Sequence, residues 1–198
     1  MRNPKILVFA GSNRSGSFNV RLADMVMKEL VQADAEVTRI SLADYPLPLY
    51  DADLEAAKGV PEHAVALKRL FQAHSGVFIA APEYNASVTP LLKNALDWIS
   101  RVAERGEARN AAFKNRVFAV GSASPGQFGG MRGLMTLRTV LEVGLGALVL
   151  PEQVCVPHAG DAFAEDGSFR EERVATALRT LARRLVREAS TYADELLG

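Results

Sequence analysis

The chain has 198 residues, of which 48% are hydrophobic, so it is long and apolar enough to form a packed core and is unlike a disordered segment. Lysine plus arginine equals aspartate plus glutamate, with 23 residues each, so the formal net charge is zero. This balance argues against nucleic acid or a membrane surface as a partner. The single cysteine, Cys155, excludes an internal disulfide and suits a reducing compartment. We therefore expect one cytoplasmic domain over residues 1–198, with no membrane-spanning segment.

Apolar runs and helical stripes alternate along the chain. Residues 6–10 and 77–81 are apolar without alternation, which predicts strands buried on both faces. The run over residues 36–42 carries polar side chains and is expected at a sheet edge. The predicted strands cover residues 6–10, 36–42, 77–81, 117–120 and 147–156, with an interruption at Pro151 in the last. The helices predicted after them cover residues 17–30, 61–73, 90–102, 134–145 and 174–196.

This alternation predicts a parallel sheet covered by helices on both faces, which is an α/β three-layer sandwich. Five strands favour the flavodoxin-like order 2-1-3-4-5. In such a sheet, ligands bind beyond the carboxyl ends of the strands, near the point where the strand order reverses. Three unusual loops follow the first, third and fourth strands: GSNRSGSFN, PEYNAS and GSASPGQFGG. We expect them to meet at one edge of the sheet and to form a ligand site there.

The first loop, GSNRSGSFN, has the composition of a phosphate-binding loop at the start of a helix. Ser12, Ser17 and Asn19 offer short polar side chains, and Arg14 supplies the one positive charge of the loop. The loop lacks the lysine of a nucleotide-hydrolysing P-loop, so we expect a phosphate that is bound and left intact, as in an anchored cofactor. The simpler alternative is that Ser17 only caps the helix.

The second loop, Pro82-Glu83-Tyr84-Asn85, places a carboxylate, an aromatic ring and an amide directly after a buried strand. Backbone groups in such a turn can bind the polar edge of a ring system, while Tyr84 offers flat area. The alternative is an ordinary turn with a half-buried tyrosine. Glu83 could serve as a general acid or base, but the sequence offers no partner carboxylate at a suitable spacing, which disfavours that role.

The third loop contributes Ser122, Ser124, Pro125 and Gly126, which would let a flat ligand lie against the backbone. Its serine spacing is out of register with the nucleophile elbow G-x-S-x-G, so serine hydrolysis is disfavoured. The three histidines and the cysteine show no metal-ligand spacing, and we expect no metal site. The sequence therefore predicts a binding site without a catalytic side chain of its own.

Taken together, these motifs resemble the NADPH-dependent FMN reductases, a flavodoxin-like family that includes chromate, quinone and azo reductases. The resemblance rests on GSNRSGSFN, PLYDAD, PEYNASVTPLLKNALDWISR and GSASPGQFGGMRGLMTLR, and it spans residues 6–155. It implies that the three loops bind FMN. The implied residues are Ser12, Arg14, Ser17 and Asn19 for the phosphate, Pro82, Glu83, Tyr84 and Asn85 along the isoalloxazine ring, and Ser122, Ser124, Pro125 and Gly126 on the ring and ribityl flank.

The resemblance also implies an enzyme that uses bound FMN to pass a hydride from NADPH or NADH to a small-molecule acceptor, such as a quinone, an azo compound, a metal oxyanion or a flavin. A homodimer or homotetramer is implied too, with the apolar helix around Trp98 as the expected contact surface. Arg105 and Arg109 are the candidates for binding a nucleotide 2′-phosphate. Two alternatives stay open: a flavodoxin-type electron carrier without turnover of its own, and a flavin-free sensor or scaffold.

Overall fold

The computed structural model describes residues 3–195. The strands are β1 (Lys5–Ala10), β2 (Glu36–Arg39), β3 (Gly76–Ala80), β4 (Glu83–Tyr84), β5 (Ser87–Val88), β6 (Val117–Ala123) and β7 (Leu148–Val156). Five of them form a parallel sheet in the order β2-β1-β3-β6-β7, while β4 and β5 form a separate antiparallel hairpin. The order of the main sheet confirms the predicted flavodoxin-like order 2-1-3-4-5.

Helices connect the strands of the main sheet. They are α1 (Phe18–Gln32), α2 (Ala52–Lys58), α3 (Glu62–Gln72), α4 (Pro90–Arg101), α5 (Met131–Arg138), α6 (Ala159–Ala162) and α7 (Glu172–Glu195). No helix was predicted where α2 lies, although Asp51 caps it by accepting the backbone N–H groups of Asp53 and Leu54. Leu196, predicted for the last helix, lies outside the described residues. None of the helices within residues 3–195 is long and apolar enough to cross a membrane.

The sheet is covered on both faces, which explains why its strands do not alternate between apolar and polar residues. In β1, Ile6 and Val8 belong to a core shared with α1 and α7, whereas Leu7 and Phe9 belong to a second core shared with α3, α4 and α5. Both sets of side chains are fully or almost fully buried. Two cores on one sheet are the three-layer arrangement that the alternation predicted.

The fifth strand of the main sheet differs from its prediction. β7 runs without a break through Pro151, and its register shifts by a bulge from Phe118 opposite Val149 to Val120 opposite Gln153. Proline is tolerated there because β7 is an edge strand, where the missing N–H group breaks no ladder hydrogen bond in the sheet interior. The helix predicted over residues 134–145 also differs, since α5 ends at Arg138 and continues as a wider π-helical turn over Thr139–Gly144.

The expected contact surface around Trp98 is wrong. Trp98 is fully buried within the chain, as are Leu92, Leu96 and Ile99 on the same helix to within 2% exposure. The indole N–H donates to the backbone oxygen of Pro48 over 2.7 Å, in the proline-rich segment that precedes α2. The apolar excess of α4 therefore packs against the sheet and this segment, and is not available to another subunit.

Candidate functional site

The carboxyl ends of β1, β3 and β6 bring the three predicted loops together, as expected for a switch point of a parallel sheet. Backbone hydrogen bonds fix the loops where they leave the strands: Gly11 N–H donates to Ala80 over 2.9 Å, and Ala81 N–H donates to Gly121 over 2.8 Å. The side chain of Thr89, the N-cap of α4, donates to Gly11 over 2.8 Å. The cleft between the loops is lined by Ser12, Arg14, Ser17, Phe18, Asn19, Pro82, Glu83, Tyr84, Ala123, Ser124 and Pro125.

The first loop offers free donors at the start of α1. Ser17 occupies the N-cap position, but its hydroxyl makes no capping hydrogen bond, contrary to the simpler alternative for this residue. The backbone N–H groups of Phe18 and Asn19 open the helix, and no side chain of the described residues caps them. Arg14 is exposed, makes only long contacts of 3.4–3.5 Å to its own loop and forms no salt bridge with a described residue. The loop therefore presents uncompensated positive charge and unpaired donors to the cleft.

Asn19 lies at the cleft but is tied to the protein. Its amide N–H donates to the backbone oxygen of Ala123 over 2.8 Å, and its amide oxygen accepts the N–H of Ala123 over 3.0 Å. The residue is only 3% exposed. Its side chain therefore joins the start of α1 to the end of β6. Asn19 thus has a structural role beside the phosphate contact predicted for it.

The second loop forms the β4–β5 hairpin, which the sequence analysis described only as a turn. Asn85 and Ala86 form its tip with positive φ angles of 51° and 62°, as in a two-residue hairpin turn. Tyr84 is 53% exposed, and Pro82 is buried at the end of β3. Tyr84 therefore offers an open aromatic face at the cleft, whereas Asn85 lies at the hairpin tip and is not among the residues that line the cleft.

Glu83 links the hairpin to α5. Its carboxylate accepts Nε of Arg132 over 2.9 Å, Nη2 of the same arginine, and the backbone N–H of Gly133 over 3.0 Å. Its side chain is only 8% exposed. These contacts hold the Glu83 side chain against α5, which explains its place in the loop without a role in proton transfer.

The third loop borders the opposite side of the cleft. Ser124 and Pro125 line it, and Gly126 follows as an exposed residue whose N–H donates to the hydroxyl of Ser124 over 3.3 Å. Ser122 does not reach the cleft, because it is fully buried under Gly130 and its hydroxyl has no partner within the described residues. A Cβ at Gly130 would stand 1.9 Å from that hydroxyl. The prediction that Ser122 contacts a ligand is therefore wrong.

Two residues of the cleft were not predicted. Phe18 stacks on Phe163 with ring centroids 6.3 Å apart and planes inclined by 8°, and the guanidinium of Arg14 lies 5.9 Å from its centroid. Ala123 offers only backbone and a methyl group to the cleft. Phe18 could have been found as the residue that follows the N-cap serine, because the first helical turn of a phosphate-binding loop faces the ligand.

The arginines proposed for the nucleotide phosphate lie elsewhere. Arg105 and Arg109 belong to the connection between the end of α4 and the start of β6, so they lie at the amino edge of the sheet, opposite the cleft. Glu107 in the same connection pairs with the fully buried Lys68 of α3. The prediction for Arg105 and Arg109 is therefore wrong for a nucleotide bound in the cleft of the same chain.

The donor set of the cleft fits a phosphate monoester bound to a flat ring system. Two helix N–H groups, the hydroxyls of Ser12 and Ser17 and the unpaired Arg14 suit a dianion. Tyr84 on one wall and the Ser124–Pro125 backbone on the other suit a planar group. Within residues 3–195 no three His, Cys, Asp or Glu side chains are grouped to hold a metal ion. This is the chemistry that the FMN phosphate and isoalloxazine ring require.

Comparisons with known proteins agree with this geometry. A family model described as NADPH-dependent FMN reductase matches residues 4–161. The quinone reductase of Escherichia coli is 37% identical over 147 residues, or 74% of this chain and 73% of that protein. An NAD(P)H-dependent FMN reductase of Pseudomonas aeruginosa is 33% identical over 171 residues, or 85% of this chain and 86% of that protein.

Among solved structures, the flavoenzyme NAD(P)H:(acceptor) oxidoreductase FerB from Paracoccus denitrificans superimposes with a TM-score of 0.77 and 28% identity. The match covers 96% of this chain and 98% of that chain. An azoreductase from Bacillus anthracis superimposes with a TM-score of 0.59 at 16% identity, which shows the shared fold. The chain therefore belongs to the NADPH-dependent FMN reductase family, whose members are oxidoreductases that use FMN with NAD(P)H as the reductant.

Proposed function

We propose that the chain binds FMN in the cleft between the three loops and uses NAD(P)H to reduce quinones. The observation that carries this proposal is the uncapped start of α1 beside the unpaired Arg14, opposite an open aromatic wall. When bound, FMN supplies the hydride and electron chemistry, for which the protein offers no side chain of its own. The quinone is chosen because relatives at 37% and 40% identity are named quinone reductases.

The residues of the cleft divide the work of binding. Ser12, Arg14 and Ser17, with the helix N–H groups, would bind the phosphate. Pro82 and Tyr84 on one side and Ser124 and Pro125 on the other would position the ring and exclude water from its faces. Asn19 binds the backbone of Ala123, and Glu83 binds Arg132. Both side chains would therefore hold the loops around the cleft in place.

Arg14→Ala tests the phosphate assignment. We expect FMN affinity to fall roughly 10- to 100-fold, because a hydrogen bond to a charged group contributes ~1.5–3 kcal/mol. Riboflavin affinity should stay unchanged in the same variant, since riboflavin lacks the phosphate. Arg183→Ala is the matched control, because Arg183 is exposed on α7. Equal loss of FMN and riboflavin affinity in Arg14→Ala would contradict the assignment.

The choice of acceptor is tested by turnover. The FMN-loaded protein should oxidise NADPH or NADH faster with a benzoquinone or naphthoquinone than with an azo dye, chromate or free FMN. Anaerobic addition of NADPH or NADH should bleach the flavin absorbance within the turnover time, whereas an electron carrier without its own activity would stay yellow. A larger kcat/KM for chromate or an azo dye than for every quinone would overturn the proposed substrate class.

We further propose that the chain acts in the cytoplasm as a homodimer or homotetramer. A second copy of the chain is favoured by three exposed apolar side chains from α5 to the start of β7. They are Met135, Val143 and Leu148, exposed by 61%, 81% and 49%. Light scattering of Met135→Glu, which replaces one of these apolar side chains with a charge, should report a smaller particle than the unchanged protein. The same mass for both proteins would contradict this contact surface.

A further inference from the structure

A second cavity lies beyond the third loop, on the side that faces away from the FMN cleft. It has a volume of about 330 Å³, within the usual range for small-ligand sites. Gln127 and Phe128 of the third loop form one wall, the edge strand β7 forms the floor, and the first turns of α7 form the other wall. Ser124 and Pro125 of the same loop line the FMN cleft, so one loop separates the two spaces.

The apolar part of this cavity suits a flat ring. Phe128 and Met131 both line it and are 47% and 40% exposed, so their apolar side chains are open to a ligand. Pro157, Val174 and Ala177 complete the apolar lining. Aromatic and thioether side chains bind planar rings well, because they offer polarizable area with few constraints on the geometry of contact.

The polar part of the cavity suits an anion. Arg173 lines it and forms no salt bridge with a described residue. The acid beside it, Glu172, is bound instead by Thr176 and Arg179, one and two turns further along α7. Arg173 also lies in the first turn of a 24-residue helix, where the helix dipole adds positive potential. The carboxamides of Gln127 and Gln153 add neutral donors.

The surrounding carboxylates do not cancel this positive charge. Burial raises the pKa of the Cys155 thiol, and the charge of Glu83 adds a smaller effect in the same direction, but Glu83 is itself paired with Arg132. Glu152, next to Gln153 in the chain, does not line the cavity. An arginine fork beside an apolar wall is the arrangement that binds a carboxylate carried on an aromatic ring.

We propose that this cavity is a second ligand site, separate from the FMN cleft, for a flat aromatic carboxylate. The carboxylate binds Arg173, with the two glutamine amides as further donors, and the ring lies against Phe128 and Met131. The site does not depend on the proposed reductase activity, since none of the residues that line it lines the FMN cleft. Its occupant would contact the outer side of the loop whose inner side faces FMN.

Cys155 provides a direct readout, because it is the single cysteine of the chain and lines this cavity. The experiment measures the rate at which the uncharged reagent dithiodipyridine labels Cys155 in the purified protein, with and without FMN, as naphthoate is added. The uncharged amide naphthamide serves as the parallel probe. Cys155→Ser should show no labelling, which identifies the thiol that is measured.

We expect naphthoate to slow the labelling in a saturable way and naphthamide to do so only at higher concentration. Arg173→Gln should raise the naphthoate concentration for half-protection roughly 10- to 100-fold, the effect of losing one charged hydrogen-bonding partner. Arg183→Gln, the same change on an exposed part of α7, should leave it unchanged. Arg173→Lys keeps the charge without the fork and should lie between the two.

Two results would overturn the proposal. One is a labelling rate that naphthoate does not change up to its solubility limit. The other is equal protection in the unchanged protein and in Arg173→Gln, which would leave an apolar groove without an anion site. Circular dichroism of each variant shows whether it folds, and Arg173→Lys supplies the comparison if Arg173→Gln does not. Loss of FMN binding in a separate experiment would affect the proposed function and leave this result unchanged.

Discussion

The pair formed by Glu83 and Arg132 joins the β4–β5 hairpin, which borders the proposed FMN cleft, to α5. Glu83→Gln keeps the shape of the side chain but removes its charge. The new amide NH₂ group cannot accept a hydrogen bond, so at least one of the donors that bind Glu83 loses its acceptor. A hydrogen bond between charged groups contributes ~1.5–3 kcal/mol. Arg132 is 55% exposed, so solvent screening reduces the expected loss to ~1–2 kcal/mol of unfolding free energy. For a chain of this length that lowers Tm by about 2–8 °C.

Urea unfolding of the FMN-free protein measures this loss, and fluorescence titration measures FMN affinity in the same variant. Affinity should fall by at most the same free energy, which corresponds to about 5- to 30-fold. Glu165→Gln is the control, because Glu165 is exposed and makes no side-chain hydrogen bond with a described residue. If Glu83→Gln matches Glu165→Gln in both measurements, the link between the hairpin and α5 does not support the cleft.

Three further predictions concern buried polar groups. Burial lowers the pKa of His74, so the folded state favours neutral imidazole, and the unfolding free energy should fall as pH drops below ~6.5 toward the lowered pKa. Urea unfolding at several pH values should show that the unfolding free energy of His74→Gln depends less on pH. Asn19→Ala leaves both backbone groups of Ala123 unpaired and should cost ~2–4 kcal/mol of unfolding free energy, whereas the exposed Asn13→Ala should cost little. Trp98 is the one tryptophan, and its fluorescence in FMN-free protein should resist acrylamide until the protein unfolds; strong quenching of the native protein would contradict its burial.

The fold was largely predictable because its signals are local and repeated. Apolar runs such as residues 6–10 are buried on both faces only in a covered parallel sheet, and the helical stripes between them leave few alternatives. The convergence of the three loops followed from that topology alone. That polar residues of the first loop, among them Arg14 and Ser17, line the cleft was also predictable, since residue type and position after a strand are visible in the sequence.

Other features depended on pairing across long stretches of chain, which periodicity does not reveal. The partners of Asn19 and Glu83 lie 104 and 49 residues away, so neither side chain could be recognised as part of a wall. Ser122 is buried because the backbone of Gly130 packs directly against it. Trp98 is held in the interior by a hydrogen bond to the backbone oxygen of Pro48. The apolar side of α4 was visible, but the sequence did not show which part of the same chain would cover it.

The two kinds of residue in the cleft lead to a further distinction. Ser12, Arg14 and Tyr84 make few contacts with the rest of the protein, so replacing them should lower FMN affinity while leaving the unfolding free energy of the FMN-free protein nearly unchanged. Asn19 and Glu83 are bound within the protein, so replacing them should lower both quantities together. Plotting the change in affinity against the change in stability for single variants would separate these groups. A common line for all of them would mean that the cleft has no residues reserved for the ligand.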